Sequence, residues 1–440
     1  MMRIWMMGVL AAIAGCTSMV GLAPDPVNEV TTQAAGIRHV FVIVLENKNY
    51  ADTFETSAQD PYLRKTLVPM GALLTQYYGT GHVSLDNYIS LISGQAPTRD
   101  TADDCLPGLI GNAGNFNDVV QTGWAAQDQV VATGGCVYST RVKTLVDQMT
   151  QAHLSWRGYM EDMGNDPARE RATCGHPAIG VRTDLTNTAE APSAAVPLGD
   201  AYATRHNPFM YFHSIIDAKS CDANVVNLAR LPDDLAQART TPNLVFITPN
   251  LCNDGHDGAG TGAAGTTCAN GQPGGLASSD DFLRTWVPRI LDSPAYRRDG
   301  LLIITFDESS FVTPSISRSP TTGQTTQTIT YPGETCCHQQ PGPNLAGMRP
   351  GTLTVVSTPS LVVNLVMQSY GGDRIGAVLL SPFIVPGSSS AKPYNHYSLL
   401  RSLEDILRLD GHLGFAADDP HSGYILDSIG NDEAIFQQRH

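Results

Sequence analysis

The chain has 440 residues, and 27 Lys and Arg against 42 Asp and Glu give it a formal charge of -15. Hydrophobic residues make up 42% and charged residues 16%, which excludes disordered, collagen-like and coiled-coil classes and suits one large α/β domain or two smaller ones. The acidic excess leaves no positive field for a nucleic-acid backbone, so nucleic acid is excluded as a partner. A small phosphorylated substrate held by local dipoles or a metal is not excluded.

The first segment reads as an address. Arg3 precedes the apolar run IWMMGVLAAIAG, which is too short to span a bilayer comfortably and suits a signal peptide. Small residues directly before Cys16 resemble a bacterial lipoprotein cleavage site, with Cys16 lipidated; ordinary secretory cleavage that removes Cys16 is the alternative. Either reading gives an exported chain, anchored by lipid to the cell envelope or periplasm, or secreted. The expected division is a signal peptide at 1–15, a polar tether at 16–36 and a domain at 37–440. Nine cysteines less Cys16 leave eight, an even number that favours disulfides in an oxidising compartment. Nearest neighbours would pair as Cys105–Cys136, Cys174–Cys221 and Cys252–Cys268. Cys336 and Cys337 would then need a vicinal bridge or separate partners. With His338 they form a weaker metal-site alternative, since no CxxC occurs.

Next comes HVFVIVL at His39–Leu45, a near-continuous β-branched run of the kind found in parallel strands covered on both faces. Similar runs stand at Asn243–Thr248, Leu301–Phe306 and Ile375–Leu380. Helical periodicity lies between them at Thr144–Met149, Phe282–Leu291 and Ser398–Leu407. Strands alternating with helices predict a layered α/β domain with a mostly parallel sheet. Residues 257–279 form a Gly/Ala/Thr-rich loop, and residues 309–351 read as a long surface insertion. No stretch after the leader reads as a membrane span.

Ligand-type residues end these strands. The first runs into Glu46 and Asn47, the second into Asn250, Asn253, Asp254, His256 and Asp257, and the third into Asp307 and Glu308. Ligands of open α/β sheets bind beyond the carboxyl ends of strands, and converging carboxylates repel unless a cation lies among them. Oxygen donors with some imidazole suit a divalent metal. Ser84, in Gly81-His82-Val83-Ser84, precedes Leu85, Tyr88, Ile89 and Ile92, one face of a helix. At that helix N-terminus free N–H groups favour a phosphate or an ionised hydroxyl, although a serine there also serves as a plain cap. Asn87 is placed to donate to a phosphoryl oxygen. His206, before an aromatic run, and His396, before the last helix, gain meaning only if they converge on the same rim.

Together HVFVIVLENKNY, YYGTGHVSLDNYISLISG, RHNPF, TPNLCNDGHDG, LLIITFDES and NHYSLLRSLEDILRL resemble the bacterial phosphoesterase family of acid phosphatases and phospholipases C. The likeness is greatest to secreted acid phosphatases that act on phosphoinositides and other monoesters. The resemblance implies an alkaline-phosphatase-like three-layer α/β/α sandwich and a divalent cation of unspecified identity. It implies metal ligands at Glu46, Asn47, Asp307 and Glu308, and a nucleophile at Ser84. It further implies phosphate-binding or proton-transfer roles for His82, His206, His256 and His396, with Asn253, Asp254 and Asp257 supporting. The substrate would be a phosphorylated small molecule or a lipid headgroup. Val83 and Asp86 replace prolines found in some relatives, which leaves the turn less rigid and adds a carboxylate. The insertion would form a lid or only decorate the rim. A phospholipase C-type phosphodiesterase and a non-catalytic binding lipoprotein are the competing readings.

Overall fold

The computed structural model describes residues 36–56, 59–106, 116–181, 184–256, 268–310, 314–345 and 350–436. The signal segment, Cys16, the tether up to residue 35 and Asp257 therefore lie outside the described residues. Leaving aside short two-stranded pairs, the strands run β1 (His39–Leu45), β2 (Ala72–Leu74), β3 (Trp156–Met160), β4 (Val225–Asn227), β5 (Leu244–Thr248) and β6 (Gly300–Phe306). There follow β7 (Ser315–Arg318), β8 (Thr325–Thr330), β9 (Gly351–Ser357) and β10 (Leu361–Met367), which form a sheet of their own, and then β11 (Ala377–Leu380) and β12 (Ser388–Ser390).

The central sheet has the order β12-β2-β11-β6-β1-β5-β3-β4. All its neighbours pair in parallel except at β11, which is antiparallel to both β6 and β2. Every residue of β1, β5 and β6 is buried, which requires a layer on each face. The helices α1 (Ser84–Ser93), α2 (Leu145–Gln151) and α5 (His396–Leu407) pack on one another. The helices α3 (Gly275–Asp292) and α4 (Pro294–Asp299) form a separate pair, with α4 against β1 and β6. The result is the expected three-layer α/β/α arrangement.

Local chemistry sets the helix ends. Thr144 and Asp147 form a capping box at the start of α2, as do Asn395 and Ser398 at the start of α5. Helix α1 stops at Gly94, whose φ is +67° and whose added Cβ would lie 2.2 Å from the Leu413 carbonyl oxygen, so only glycine fits there. No helix among the described residues is long and apolar enough to cross a membrane.

Three expectations change in detail. The Ile375–Leu380 run supplies the one reversed strand, β11. The segment read as a surface insertion at 309–351 carries a four-stranded sheet that continues to Met367. Helix α3 begins at Gly275, inside the stretch 257–279 read as a loop. The four cysteine pairs, including the vicinal Cys336–Cys337, follow nearest-neighbour order.

Glu404 on α5 is buried; its Oε1 accepts the Leu413 N–H at 2.9 Å, and its Oε2 makes no hydrogen bond. Burial pushes its pKa up to about 9, with the Leu413 N–H opposing. An acid raised in this way favours folding fully only while protonated, so its contribution is whole below the ordinary value of 4.5 and is lost as pH rises through about 9. Glu404→Gln should remove this dependence. Melting curves should show the variant gaining on the wild type as the pH climbs from about 5 to about 9.

Candidate active site

Strands β1 and β6 are parallel and in register, with Leu45 opposite Phe306. The next residue of each chain segment, Glu46 and Asp307, therefore leaves the sheet side by side. The backbone fixes both: the Asp307 N–H donates to the Leu45 carbonyl at 2.8 Å, and the Glu46 N–H donates to the Asp254 carbonyl at 2.8 Å. Asp307 Oδ1 accepts the N–H groups of Asn47 at 2.8 Å and Glu308 at 2.6 Å. Asn47 turns with φ +51°, and its side-chain amide donates to Glu46 Oε2 at 3.2 Å.

Ser84 is the first residue of α1, and its Oγ does not cap the helix. It donates instead to Glu46 Oε2 at 2.7 Å. One turn along, the Tyr88 hydroxyl donates to Glu46 Oε1 at 2.5 Å, as the i, i+4 spacing allows. Asn87 is spent on the loop before the helix. Its Oδ1 accepts the N–H groups of Thr80 and Gly81, and its amide donates to the carbonyls of Gly81 and Val83. Val83 is held at φ +99°, a conformation that a β-branched residue adopts only under constraint. Its N–H donates to Glu308 Oε1 at 2.9 Å.

The electrostatics follow from burial. Glu46 is pushed well above the usual carboxylate range by desolvation and then by the charges of Asp307 and Asp254, with the Ser84 hydroxyl opposing. Asp307 is raised by desolvation, against the pull of Glu46 and of the Asn47 and Glu308 N–H groups. Two buried acids this close disfavour each other's charge. Lys48 packs beside them; burial lowers its pKa while Asp254 and Asp307 oppose.

The histidines divide. His206 is buried, stacks on Tyr88 with ring centroids 5.5 Å apart, and lies 3.5 Å from Glu46 Oε2 and 3.7 Å from Asp254 Oδ2. Desolvation, then Arg205 and His256, hold it well below its ordinary pKa. His256 is less buried, and its N–H is fixed by Asp254 Oδ1 at 2.8 Å. It lies near enough to His206 and Asp104 to affect their ionisation.

His82 bridges Glu308 Oε2 at 2.5 Å and Asp373 Oδ2 at 2.8 Å. Burial disfavours its charge, yet these two bonds raise its pKa to about 9. His396 lies behind the site, with Nδ1 on the Tyr77 hydroxyl at 3.0 Å and Nε2 on the Asp307 backbone carbonyl at 2.5 Å. Burial lowers it to about 4.

Ser84, Glu46, Asn47, Asp307, His206, His256 and Asp254 are thus brought together. Five expected placements differ, the first being His82, whose two ring nitrogens are engaged by Glu308 and Asp373. Glu308 points to His82 and Val83, because successive residues leaving a strand face opposite sides. His396 has both ring nitrogens engaged inside the protein, Asn87 clamps its own loop, and Asn253 donates to both Glu161 oxygens at 3.0 and 3.1 Å. The sequence reading missed Tyr88, Lys48 and Asp104, the last of which accepts the Leu85 N–H at 2.9 Å and pairs with Arg205 at 3.6 Å. Tyr88 was legible as part of a buried helix face but not as a donor to Glu46.

The donor types at Glu46, Asp307 and His206 suit a divalent cation. Asp307 Oδ2 and both His206 ring nitrogens are buried without hydrogen bonds. Among the described residues no three His, Cys, Asp or Glu side chains are spaced as a ready cation cage. The donor chemistry therefore fits an ion, while its coordination geometry is not preformed.

A buried serine, paired acids and flanking histidines thus stand together at the strand ends of an α/β/α sheet. Residues 54–410 match the Phosphoesterase family, and the chain belongs to that family. It is similar to an acid phosphatase of Aspergillus fumigatus, 24% identical over 284 residues that cover 64% of this chain and 47% of that protein. It is also similar to a phosphate-repressible acid phosphatase of Penicillium chrysogenum, 27% identical over 268 residues covering 60% and 47%. The chain spans about half the length of the curated relatives it matches. Among solved structures it is similar to an alkaline phosphatase superfamily protein from Vibrio parahaemolyticus, with TM-score 0.42 and 10% identity over 87% of this chain and 69% of that one. Murine ectonucleotide pyrophosphatase/phosphodiesterase 5 gives TM-score 0.43 and 12% identity over 86% and 97%.

The Val83 turn generates a direct test. Val83→Gly should relieve about 1–3 kcal/mol of backbone strain and give back about 0.5–1 kcal/mol through the unfolded chain. Urea unfolding should show a net gain of about 1 kcal/mol.

Proposed function

We propose that the chain hydrolyses phosphate monoesters through Ser84. The observation that supports this most directly is the 2.7 Å hydrogen bond from Ser84 Oγ to Glu46 Oε2, made at the N-terminus of α1 and beside Asp307. A hydroxyl there has an acceptor for its proton and a field that favours an anion. Uncatalysed monoester hydrolysis is so slow that strong charge stabilisation is required. A divalent cation held by Glu46, Asn47 and Asp307 would, when bound, neutralise phosphoryl oxygens and lower the pKa of the attacking hydroxyl.

The protein's own groups do the rest. Ser84 Oγ gives its proton to water and attacks phosphorus in line. The bond to the leaving oxygen breaks, and that oxygen takes a proton from His256, the less buried of the two flanking histidines. Water then attacks the phosphoserine, its proton passing to His256, and Ser84 Oγ leaves and takes a proton from water. His206, neutral because its pKa is depressed, donates an N–H to a phosphoryl oxygen. Four disulfides suit an oxidising compartment, in keeping with an exported enzyme; lipidation at Cys16 and a phosphoinositide substrate are the finer parts of the same proposal.

Ser84→Ala should keep its fold and lose at least about a thousandfold in turnover of p-nitrophenyl phosphate. Activity within twofold of the wild type would remove the covalent route. Turnover of bis(p-nitrophenyl) phosphate exceeding that of the monoester would shift the reading to a phosphodiesterase. Dialysis against a chelator should abolish hydrolysis, and a divalent cation should restore it. The same treatment of Glu46→Ala should give no recovery, read as bound metal per chain and as rate.

A further inference from the structure

We propose that Glu161 and Asp162, at the end of β3, are positioning residues that hold the loops presenting His256 and His206 to the reacting phosphate. The proposal rests on the hydrolytic reading above. Neither carboxylate belongs to the Ser84–Glu46–Asp307 cluster. Strand β3 lies two strands from β1, beyond β5, so its end faces the loops rather than the serine.

Each carboxylate accepts hydrogen bonds from loops carrying a candidate catalytic histidine. Glu161 Oε2 accepts the Asn250 N–H at 2.9 Å, and both its oxygens accept the Asn253 side-chain amide at 3.0 and 3.1 Å. Asn253 stands three residues before His256. Asp162 Oδ2 accepts the Asn250 side-chain amide at 2.6 Å and the Ala201 N–H at 3.2 Å, while Oδ1 accepts from Asn165 at 3.1 Å. Ala201 stands five residues before His206.

The two loops are also joined directly, the Leu251 N–H donating to the Ala201 carbonyl at 2.9 Å. Asp162 has φ +67°, so the chain turns immediately after the strand and brings two successive carboxylates to the same rim. Carboxyl acceptors with several donors apiece make stiff tethers. The same tethers draw Asn253 away from substrate. Its role is then to fix the loop that ends in Asp254, whose Oδ1 orients the His256 backbone.

A displacement of about 1 Å at a proton donor reduces rate by about a hundredfold. The loss should fall selectively. An alkyl leaving group needs a proton as its bond breaks, whereas p-nitrophenolate leaves without one. A residue that only supports the fold would affect both substrates alike.

The test measures kcat/KM of wild type, Glu161→Gln, Asp162→Asn and Glu161→Asp on glycerol 2-phosphate and on p-nitrophenyl phosphate. Glu161→Gln should fall at least about tenfold on the alkyl ester and less than about threefold on the aryl ester, with Glu161→Asp recovering part of the loss, whereas Asp162→Asn, which also loosens the loop that carries His206, should fall on both esters. For Glu161→Gln an equal fall on both substrates, or no fall on either, overturns the positioning role, as does Asp162→Asn keeping the wild-type rate on both. If Glu161→Gln loses the wild-type melting transition, Asn253→Ala gives the same readout, since it removes one tether and leaves Glu161 bonded to Asn250. If that variant also fails to fold, the clamp is structural and the proposal falls. Wild type inactive on both esters would instead overturn the hydrolytic reading, and Ser84→Ala still active would overturn its covalent route through the serine. Glu161→Gln behaving as wild type beside an inactive Ser84→Ala would sink this inference alone.

Discussion

The structure turns on the burial of two adjacent acids. Parallel pairing of β1 with β6 leaves no choice about where Glu46 and Asp307 emerge, and both are fully buried. Two ionised carboxylates in such a place are tolerated only with donors or positive charge around them. The surrounding sequence supplies donors from several directions: Ser84 and Tyr88 from one helix, and backbone N–H groups from Asn47 and Glu308. The serine thus satisfies a buried acid in the resting protein through its hydrogen bond to Glu46.

The parts of this arrangement differ in how far they could be read from sequence. Strands β1, β5 and β6 were legible because strands buried on both faces must be apolar throughout, and His39–Leu45 matches in both bounds. Strands β3 and β4 were not. Trp156–Met160 contains Arg157 and Gly158, and Val225–Asn227 is three residues long, so neither carries a run or an alternation. Glu161 and Asp162 went unnoticed for that reason, since acids following an unrecognised strand look like ordinary surface charge. The direction of β11 was also hidden, because a buried antiparallel strand shows the same apolar run as a parallel one.

Within the site, residue type and order along the chain were readable, while hydrogen-bond assignments were not. Asp307 and Glu308 are adjacent acids of the same apparent character. One carboxylate faces the serine and the other salt-bridges His82, and only the chain's path out of β6 separates them. Asn87 and His396 were credible phosphate ligands until their partners were counted. Each spends its polar atoms inside the protein, as buried polar groups generally do.

The insertion is tied to the serine through this same network. The Tyr331 ring, just after β8, lies on His82 with centroids 3.8 Å apart. The Glu334 N–H donates to Asp373, the second carboxylate holding His82. The Gln339 amide donates to the Thr80 carbonyl at 2.6 Å, within the loop that Asn87 closes. The segment that looked like decoration therefore helps to hold the backbone of residues 80–83, and it is this backbone that forces Val83 to φ +99° and delivers Ser84 to Glu46. A strained turn persists only where its surroundings over-determine it. Here those surroundings come from three stretches of chain: the helix that follows the turn directly, the acid just beyond β6, and the insertion that begins a few residues further on.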